Sequence, residues 1–197
     1  MKQIKIRKFK KGFSIIEMVA VTGIVAIISI VVSTMLVSGL KTYRTKRLVV
    51  DAEEKIASVM RAFEQTTRAA SQLGSIGENQ LTFYRFYDLT SVSPTQVRYF
   101  LDGNQFKIGL TQPSGIEPNI TYPASSEQVS LIIPDVNNPD HLFDFYNGNN
   151  DLLSGNISLS NVKMIRFTIS IDKNGVAPPG PTEGTTKVML RNMKSNL

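Results

Sequence analysis

The chain has 197 residues, 42% of them hydrophobic, which suits one modest domain with an additional segment. It contains no cysteine, which excludes disulfides and cysteine-ligated metal sites. The formal charge is +6, but six of the 22 Lys and Arg residues precede Gly12, and the other 16 balance the 16 Asp and Glu residues. Because a nucleic-acid-binding domain carries a basic patch, this neutral remainder argues against a nucleic-acid partner.

The first 12 residues form a basic leader, and an apolar run follows from Phe13 to about Leu40, with Glu17 as its only charged residue. The run exceeds the roughly 20 apolar residues that a membrane-spanning helix needs. It is too long for a secretory signal, and no small-residue cleavage site follows it. Because basic clusters stay on the cytoplasmic side, we expect a single-pass anchor in the cytoplasmic membrane, with the N-terminus inside and the remainder outside.

The sequence becomes amphipathic after Leu40, with apolar residues at helical spacing between charged ones. The positions in this stripe are Leu48, Ala52, Ile56, Val59, Phe63, Ala70 and Leu73. Gly74 stands just past the last of them, where a left-handed cap residue belongs. The pattern predicts one helix from about residue 13 to 73, with a transmembrane half at 13–40 and an amphipathic half at 41–74.

Short alternating segments separated by turn residues follow Gly74 and predict a β-rich extracytoplasmic head at 75–197. Asp102-Gly103-Asn104 predicts the turn of a hairpin. Strands are predicted within 80–87, 96–110, 128–134, 162–171 and 185–192. The loop that includes 177–181 is rich in proline and glycine and is predicted to be solvated. One helix packed on a C-terminal antiparallel β-sheet gives an α+β fold.

The stretch "KKGFSIIEMVAVTGIVAIISIVV" at 10–32 resembles the class III signal of type IV pilins and pseudopilins. The resemblance rests on the basic leader, Gly12, the aromatic Phe13 and Glu17, which is the fifth residue after Gly12. In that family a prepilin peptidase cuts after the glycine and methylates the new amine. The resemblance therefore implies cleavage after Gly12, N-methylation of Phe13 and a type IV pilin-like fold.

Glu17 has two interpretations. A charged side chain in a membrane helix costs about 2.5–3.5 kcal/mol on insertion scales, so such residues usually have partners. The residues alone leave open that Glu17, about one turn inside the helix, reaches back to the interface. The resemblance implies that it pairs with the Phe13 amine of a neighbouring subunit, which offsets part of the burial cost and sets subunit register. Methylation leaves that amine cationic, so the pairing survives it.

Four segments of the head resemble, in order, the minor subunits of the J-type pseudopilin and PilW-like group: "RYFLDGNQFKIGL", "LFDFYNGNNDLL", "VKMIRFTISI" and "TKVMLRNM". Thr34 stands where many major pilins carry a proline, and the paired cysteines of many major pilins are absent. The resemblance implies a minor pilin or pseudopilin of a type IV pilus or a type II secretion-like pseudopilus. A major pilus subunit and a membrane-anchored DNA-uptake or adhesion tip protein remain alternatives, as does a membrane-anchored enzyme or receptor.

The partners that the resemblance implies are the prepilin peptidase, other pilins or pseudopilins bound through the hydrophobic helix, and an inner-membrane assembly platform. Membrane lipid would surround the helix before assembly. No catalytic residue and no cofactor is expected. His141 is the only histidine and no G-x-S-x-G elbow is present, so neither a Cys/His pair nor a Ser-His-Asp triad has support. His141 is interpreted as a structural or surface residue.

Two further clusters have a functional and a structural interpretation. Asp144, Asn147, Asn149 and Asp151 are a weak calcium candidate, because oxygen ligands suit Ca²⁺. The EF-hand pattern is not met, and a plain turn uses the same residue types. The aromatic residues of "QLTFYRFY" at 80–87 would suit base stacking. In a neutral chain, a place in the sheet core or against the helix is the better prediction for Tyr84, Phe86 and Tyr87.

Overall fold

The computed structural model describes residues 12, 14–87, 93–115, 119–138, 141–172 and 180–190. Within these ranges one long helix, α1 (Ile15–Arg68), precedes nine strands. The strands are β1 (Ala70–Gly77), β2 (Gln80–Arg85), β3 (Thr95–Asp102), β4 (Gln105–Thr111), β5 (Gln128–Ile133), β6 (Phe143–Tyr146), β7 (Leu152–Leu153), β8 (Met164–Ile171) and β9 (Thr182–Met189). The chain divides into two compact units within α1. The first ends at Lys46, and the second begins at Arg47 and contains both sheets.

The predicted α+β class is confirmed, but the expectation of one sheet is wrong. A five-stranded sheet has the order β1-β2-β3-β4-β5, and a four-stranded sheet has the order β7-β6-β8-β9. Every pairing is antiparallel. The chain leaves the first sheet at Pro134 and Asp135, where Asp135 has φ +60. A proline followed by a left-handed residue ends the strand, so the next segment starts a second sheet.

The second half of α1 packs on the sheets through the predicted stripe. Ala52, Ile56, Val59 and Phe63 are buried, as the helical spacing predicts, whereas Leu48 is 37% exposed. The stripe therefore begins about one turn later than the sequence indicates.

Phe63 lies at the centre of the core. Its ring centroid is 5.4 Å from that of Tyr99 in β3, 5.9 Å from that of Phe143 in β6 and 4.6 Å from that of Phe167 in β8. Tyr99 belongs to the first sheet, and the two phenylalanines belong to the second. One side chain of α1 therefore contacts both sheets and fixes them to the helix.

The predicted helix end at residue 73 is wrong, because α1 ends at Arg68 and β1 begins at Ala70. The amphipathic helical half is therefore 41–68, and the head begins before residue 75. Ala70 and Leu73 are buried, but from a strand. Register shifts between Ala70 and Gln72 and between Leu73 and Ser75 interrupt the alternation of β1. Such bulges place inward residues three apart, which imitates helical spacing.

Gly74 is not a helix cap, because it lies in the middle of β1. A Cβ there would stand 3.0 Å from Tyr84 Cε2 and 3.2 Å from Thr82 Cγ2, both in β2. The glycine permits close approach of two strands where the bulges twist them together.

The predicted hairpin is confirmed. Asp102 pairs with Gln105 across Gly103-Asn104, and Gly103 has φ +60. By contrast, β2 ends at Arg85, so the predicted burial of Phe86 and Tyr87 is wrong: they are 46% and 51% exposed. The other predicted strands are present with ends shifted by a few residues, and the sequence pattern did not indicate β1, β6 or β7. Residues 177–179 of the predicted loop lie outside the described residues, as do Arg191 and Asn192 of the closing strand.

Gly184 in β9 lies directly beneath α1. A Cβ at this position would overlap the Ile56 Cγ2 methyl and stand 3.2 Å from Met60 Cε. Ile56 is buried and branched at Cβ, so its methyl has little room to move. We expect Gly184→Val to lower the free energy of unfolding by about 1–3 kcal/mol, the usual cost of overpacking.

Urea unfolding of the full chain in detergent, followed by tyrosine circular dichroism, measures this cost. Gly180→Val is the matched control, because no described atom lies within 4 Å of a Cβ at Gly180. Equal midpoints for the two variants would contradict a close contact between α1 and β9.

Candidate functional site

The candidate site begins at the first turn of α1. The backbone N–H groups of Glu17 and Met18 donate to the Ser14 carbonyl oxygen at 3.0 and 3.1 Å. Glu17 thus occupies the first helical turn, where the positive end of the helix dipole favours a carboxylate. Its side chain is exposed. Phe13 and leader residues 1–11, on which the processing prediction depends, lie outside the described residues.

Gly12 precedes this turn and is exposed. Among the described residues, no atom lies within 4 Å of the position that a Cβ would take. The described packing therefore gives no steric reason for a glycine at this position.

The first half of α1 presents an apolar surface on all sides. From Ile15 to Leu40 its large hydrophobic side chains are between 48% and 85% exposed. A helix that is hydrophobic all round needs an apolar environment, either lipid or other helices. In the part of the chain that the structure describes, this is the one helix long and apolar enough to cross a membrane, and it lies near the N-terminus.

Three hydroxyl groups within this surface bond to the helix itself. Thr22 donates to the Met18 carbonyl at 2.9 Å, Ser29 to that of Val25 at 2.8 Å and Thr34 to that of Val31 at 2.8 Å. Polar groups that bond back to their own helix need no external partner in a medium without water. Glu17 is therefore the one charged group of the apolar segment. Unlike these hydroxyl groups, its carboxylate cannot donate a hydrogen bond to a carbonyl oxygen of its own helix.

Four basic residues, Lys41, Arg44, Lys46 and Arg47, follow the apolar surface directly, and all are exposed. Sequence reasoning did not single them out. The signal was present, because no Asp or Glu occurs between Met18 and Val50.

The head contains a cavity of about 620 Å³ between the β1–β2 turn, the start of β6 and the segment after β7. Glu78, His141 and Asp144 line it beside apolar side chains. Asp144 is only 8% exposed, and both its oxygens are engaged. Arg166 Nε donates to Oδ2 at 2.6 Å from the directly opposite position of β8, and His141 Nε2 contacts Oδ1. The carboxylate is thus neutralised within the sheet, as a structural cross-strand pair.

Three of the calcium candidates, Asp144, Asn147 and Asp151, are engaged in hydrogen bonds within the head. Asn147 Oδ1 accepts the backbone N–H groups of Asn149 and Asp151, each at 2.9 Å. Asn147 Nδ2 donates to Asp151 Oδ2 at 2.9 Å, while Asp144 is engaged with Arg166. These bonds close an Asx-type turn. Across the described ranges no group of three or more His, Asp or Glu side chains is arranged to hold a metal ion.

The shifted pKa values belong to the first sheet and its connections. Burial raises the pKa of Tyr99 above its ordinary value of 10.0, against a hydrogen bond to Thr66 that lowers it. Burial also raises the pKa of Tyr122, and the nearby Tyr84 adds to the effect. A hydrogen bond from Lys107 lowers the pKa of Asp102 at the hairpin turn. None of these groups lines the cavity or the first half of α1.

The strongest candidate for a functional feature is therefore the combination of Gly12, Glu17 and the exposed apolar surface. A scan of this chain against protein-family models finds no match, and a search of curated proteins finds none either. The N-terminal residues, together with α1 and the antiparallel sheets that follow it, are the features of this chain that bear on its function.

Proposed function

We propose that this chain is a minor pilin or pseudopilin, a structural subunit of a type IV pilus or a type II secretion-like pseudopilus. One observation carries the proposal: a carboxylate, Glu17, stands in the first turn of a helix that is apolar on all sides up to Leu40. A basic leader that ends in Gly12 and is followed by Phe13 precedes that turn directly. Neither a simple anchor nor a secreted domain needs a charge at this position.

The proposed mechanism has two stages. The leader holds the N-terminus inside while the first half of α1 crosses the cytoplasmic membrane, and the prepilin peptidase cuts after Gly12. An assembly platform then moves the subunit from lipid into a filament, where the apolar surfaces of neighbouring helices cover one another. This transfer exchanges one apolar environment for another, so apolar packing alone specifies little about position along the fibre axis.

Glu17 determines the position of the subunit along the fibre axis. A carboxylate in an apolar fibre is costly unless a cation lies in the same layer, and the Phe13 amine of a neighbour is such a cation. Only one axial stagger of two helices brings these groups together. The pair therefore fixes register, much as a single buried polar residue does in a coiled coil.

The two-sheet head has a separate role in this proposal. Its core is closed by Phe63 and the aromatic residues of both sheets, and its buried Asp144 is neutralised by Arg166. We assign it no catalysis. It is carried on the outside of the fibre as a folded unit.

Mass spectrometry of the N-terminal peptide tests the proposal, with the protein taken separately from sheared extracellular fibres and from membranes. Methylated Phe13 is expected in at least one fraction. Abundance in fibres would indicate a structural pilus subunit, whereas abundance mainly in membranes would indicate a scarce pseudopilin. Gly12→Val is the matched control and should retain the leader. Among the described residues, no atom lies within 4 Å of the position that its Cβ would take, so loss of cleavage would not reflect a clash in the fold. An intact Met1 in both fractions of the unsubstituted protein would refute the proposal.

A further inference from the structure

Lys41, Tyr43, Arg44 and Lys46, here called the basic belt, follow the apolar surface of α1 within six positions. All four side chains are exposed, and that of Tyr43 is 64% exposed. Among the described residues, no ion pair joins the three cations to an acidic group. The belt thus presents three positive charges and one phenol to its surroundings.

Arg47 follows the belt directly but has Asp51 one helical turn later, so it is not counted in the belt. Residues one helical turn before and after each cation of the belt carry no carboxylate, because the interval from Met18 to Val50 lacks Asp and Glu. An external anion is therefore the natural complement of the belt.

The position of the belt along the helix indicates which anion it meets. Lys41 lies about 36 Å beyond Glu17 at ~1.5 Å per residue. The hydrocarbon core of a bilayer is about 30 Å thick. When Glu17 lies near one interface, the belt therefore reaches the headgroup layer of the other. Tyrosine is enriched in that layer, which fits the place of Tyr43 among the cations.

We propose that the basic belt binds anionic phospholipid headgroups of the leaflet opposite the leader while the subunit resides in the membrane. The inference rests on the membrane location given under Proposed function, but not on filament assembly. Once the leader has been removed, the belt is the basic cluster adjoining the anchor. Its lipid contacts then hold the depth of the helix and must be released when the subunit is extracted.

Tyr43→Trp provides a local reporter, because the chain contains no tryptophan. The full-length variant is reconstituted in vesicles of equal parts phosphatidylglycerol and phosphatidylcholine, with bromine on the acyl chains of one lipid or the other. Both vesicle types have the same charge and differ only in which lipid quenches. At low salt we expect the brominated anionic lipid to quench the fluorescence of the introduced indole roughly three or more times as strongly as brominated phosphatidylcholine does.

The cause is tested by removing charge from the belt. In the Tyr43→Trp background, Lys41→Gln/Arg44→Gln/Lys46→Gln should bring this preference, the ratio of quenching by the anionic lipid to quenching by phosphatidylcholine, close to one. The matched control Lys55→Gln/Arg61→Gln/Arg68→Gln removes equal charge from exposed positions farther along α1 and should preserve it. Sodium chloride at about 1 M shortens the screening length to ~3 Å and should abolish the preference without any belt substitution. The salt arm keeps the test decisive even if the triple variant inserts poorly.

Equal quenching by both lipids at low salt would overturn the inference. Equal quenching together with charge-dependent self-association would mean that the belt instead binds the acidic residues Asp51, Glu53 and Glu54 of a second copy. Absence of quenching by either lipid would mean that position 43 is away from the bilayer, and would contradict the membrane location itself. A measured lipid preference, by contrast, stands whether or not the protein assembles into filaments.

Discussion

Glu17→Ala is expected to leave cleavage after Gly12 intact but to prevent incorporation of the subunit into filaments. The apolar surface from Ile15 to Leu40 is unchanged by the substitution, so membrane insertion should persist. What is lost is the partner of a neighbour's amine in an apolar layer. Removing one member of a buried ion pair typically costs about 3–5 kcal/mol. At equilibrium that corresponds to roughly a hundredfold or greater loss of incorporation.

The measurement compares the amount of processed protein in sheared fibres and in membranes by quantitative mass spectrometry. Glu17→Gln keeps the shape of the side chain without its charge and should fail in the same way, which identifies charge as the cause. Thr34→Ala is the matched control, because the Thr34 hydroxyl bonds only to the Val31 carbonyl of its own helix among the described groups. Normal incorporation of Glu17→Ala would end the register mechanism, though not the membrane anchor.

Periodicity predicts an element well when one face is buried and the other solvated. β8 alternates as the sequence indicates up to Ile169, with Ile165, Phe167 and Ile169 buried, and only at its end are Ser170 and Ile171 both buried. The stripe from Ala52 to Phe63 on α1 is predicted for the same reason. In each case a regular backbone converts residue spacing directly into a face.

The missed features occur where the backbone is irregular or both faces are covered. β1 contains two register shifts, so Ala70 and Leu73 point inward three positions apart and imitate a helix. β6 is buried at every position, including Asp144, so it shows no alternation. The carboxylate is accommodated only because Arg166 lies opposite it, and this pairing is a property of sheet register. Division into two sheets is likewise decided by long-range pairing.

The candidate site depends on sequence in a different way. Glu17 is evident from residue type and position alone, because a charge within an apolar helix breaks a local rule. Gly12 is indicated only by the resemblance to the class III signal, since a glycine is also an ordinary residue before a helix. Geometry adds that no described side chain lies near Gly12 and that Glu17 occupies the first turn. The partner proposed for Glu17 belongs to another subunit, which neither the sequence nor one folded chain contains.

Phe63→Ala is expected to lower the free energy of unfolding of the head by about 3–5 kcal/mol. Phe63 is completely buried, and its ring contacts Tyr99 in the first sheet and Phe143 and Phe167 in the second. Hydrogen-bonded ladders hold the two sheets, so neither can move freely into the space that the ring leaves. The resulting cavity would lie at the junction of all three elements and would remove much of a stability that rarely exceeds about 15 kcal/mol.

Urea unfolding of the full chain in detergent, followed by tyrosine circular dichroism, gives the difference in free energy. Phe86→Ala is the matched control, since Phe86 is 46% exposed beyond the end of β2, and its truncation should cost within about 0.5 kcal/mol. The same loss for both variants would mean that Phe63 does not join the sheets. A large loss for Phe63→Ala alone would establish it as the residue through which α1 holds the head together. An unstable head would then lower the amount of subunit in membranes, whereas Glu17→Ala changes only its distribution between membranes and fibres. The two variants therefore separate folding from assembly.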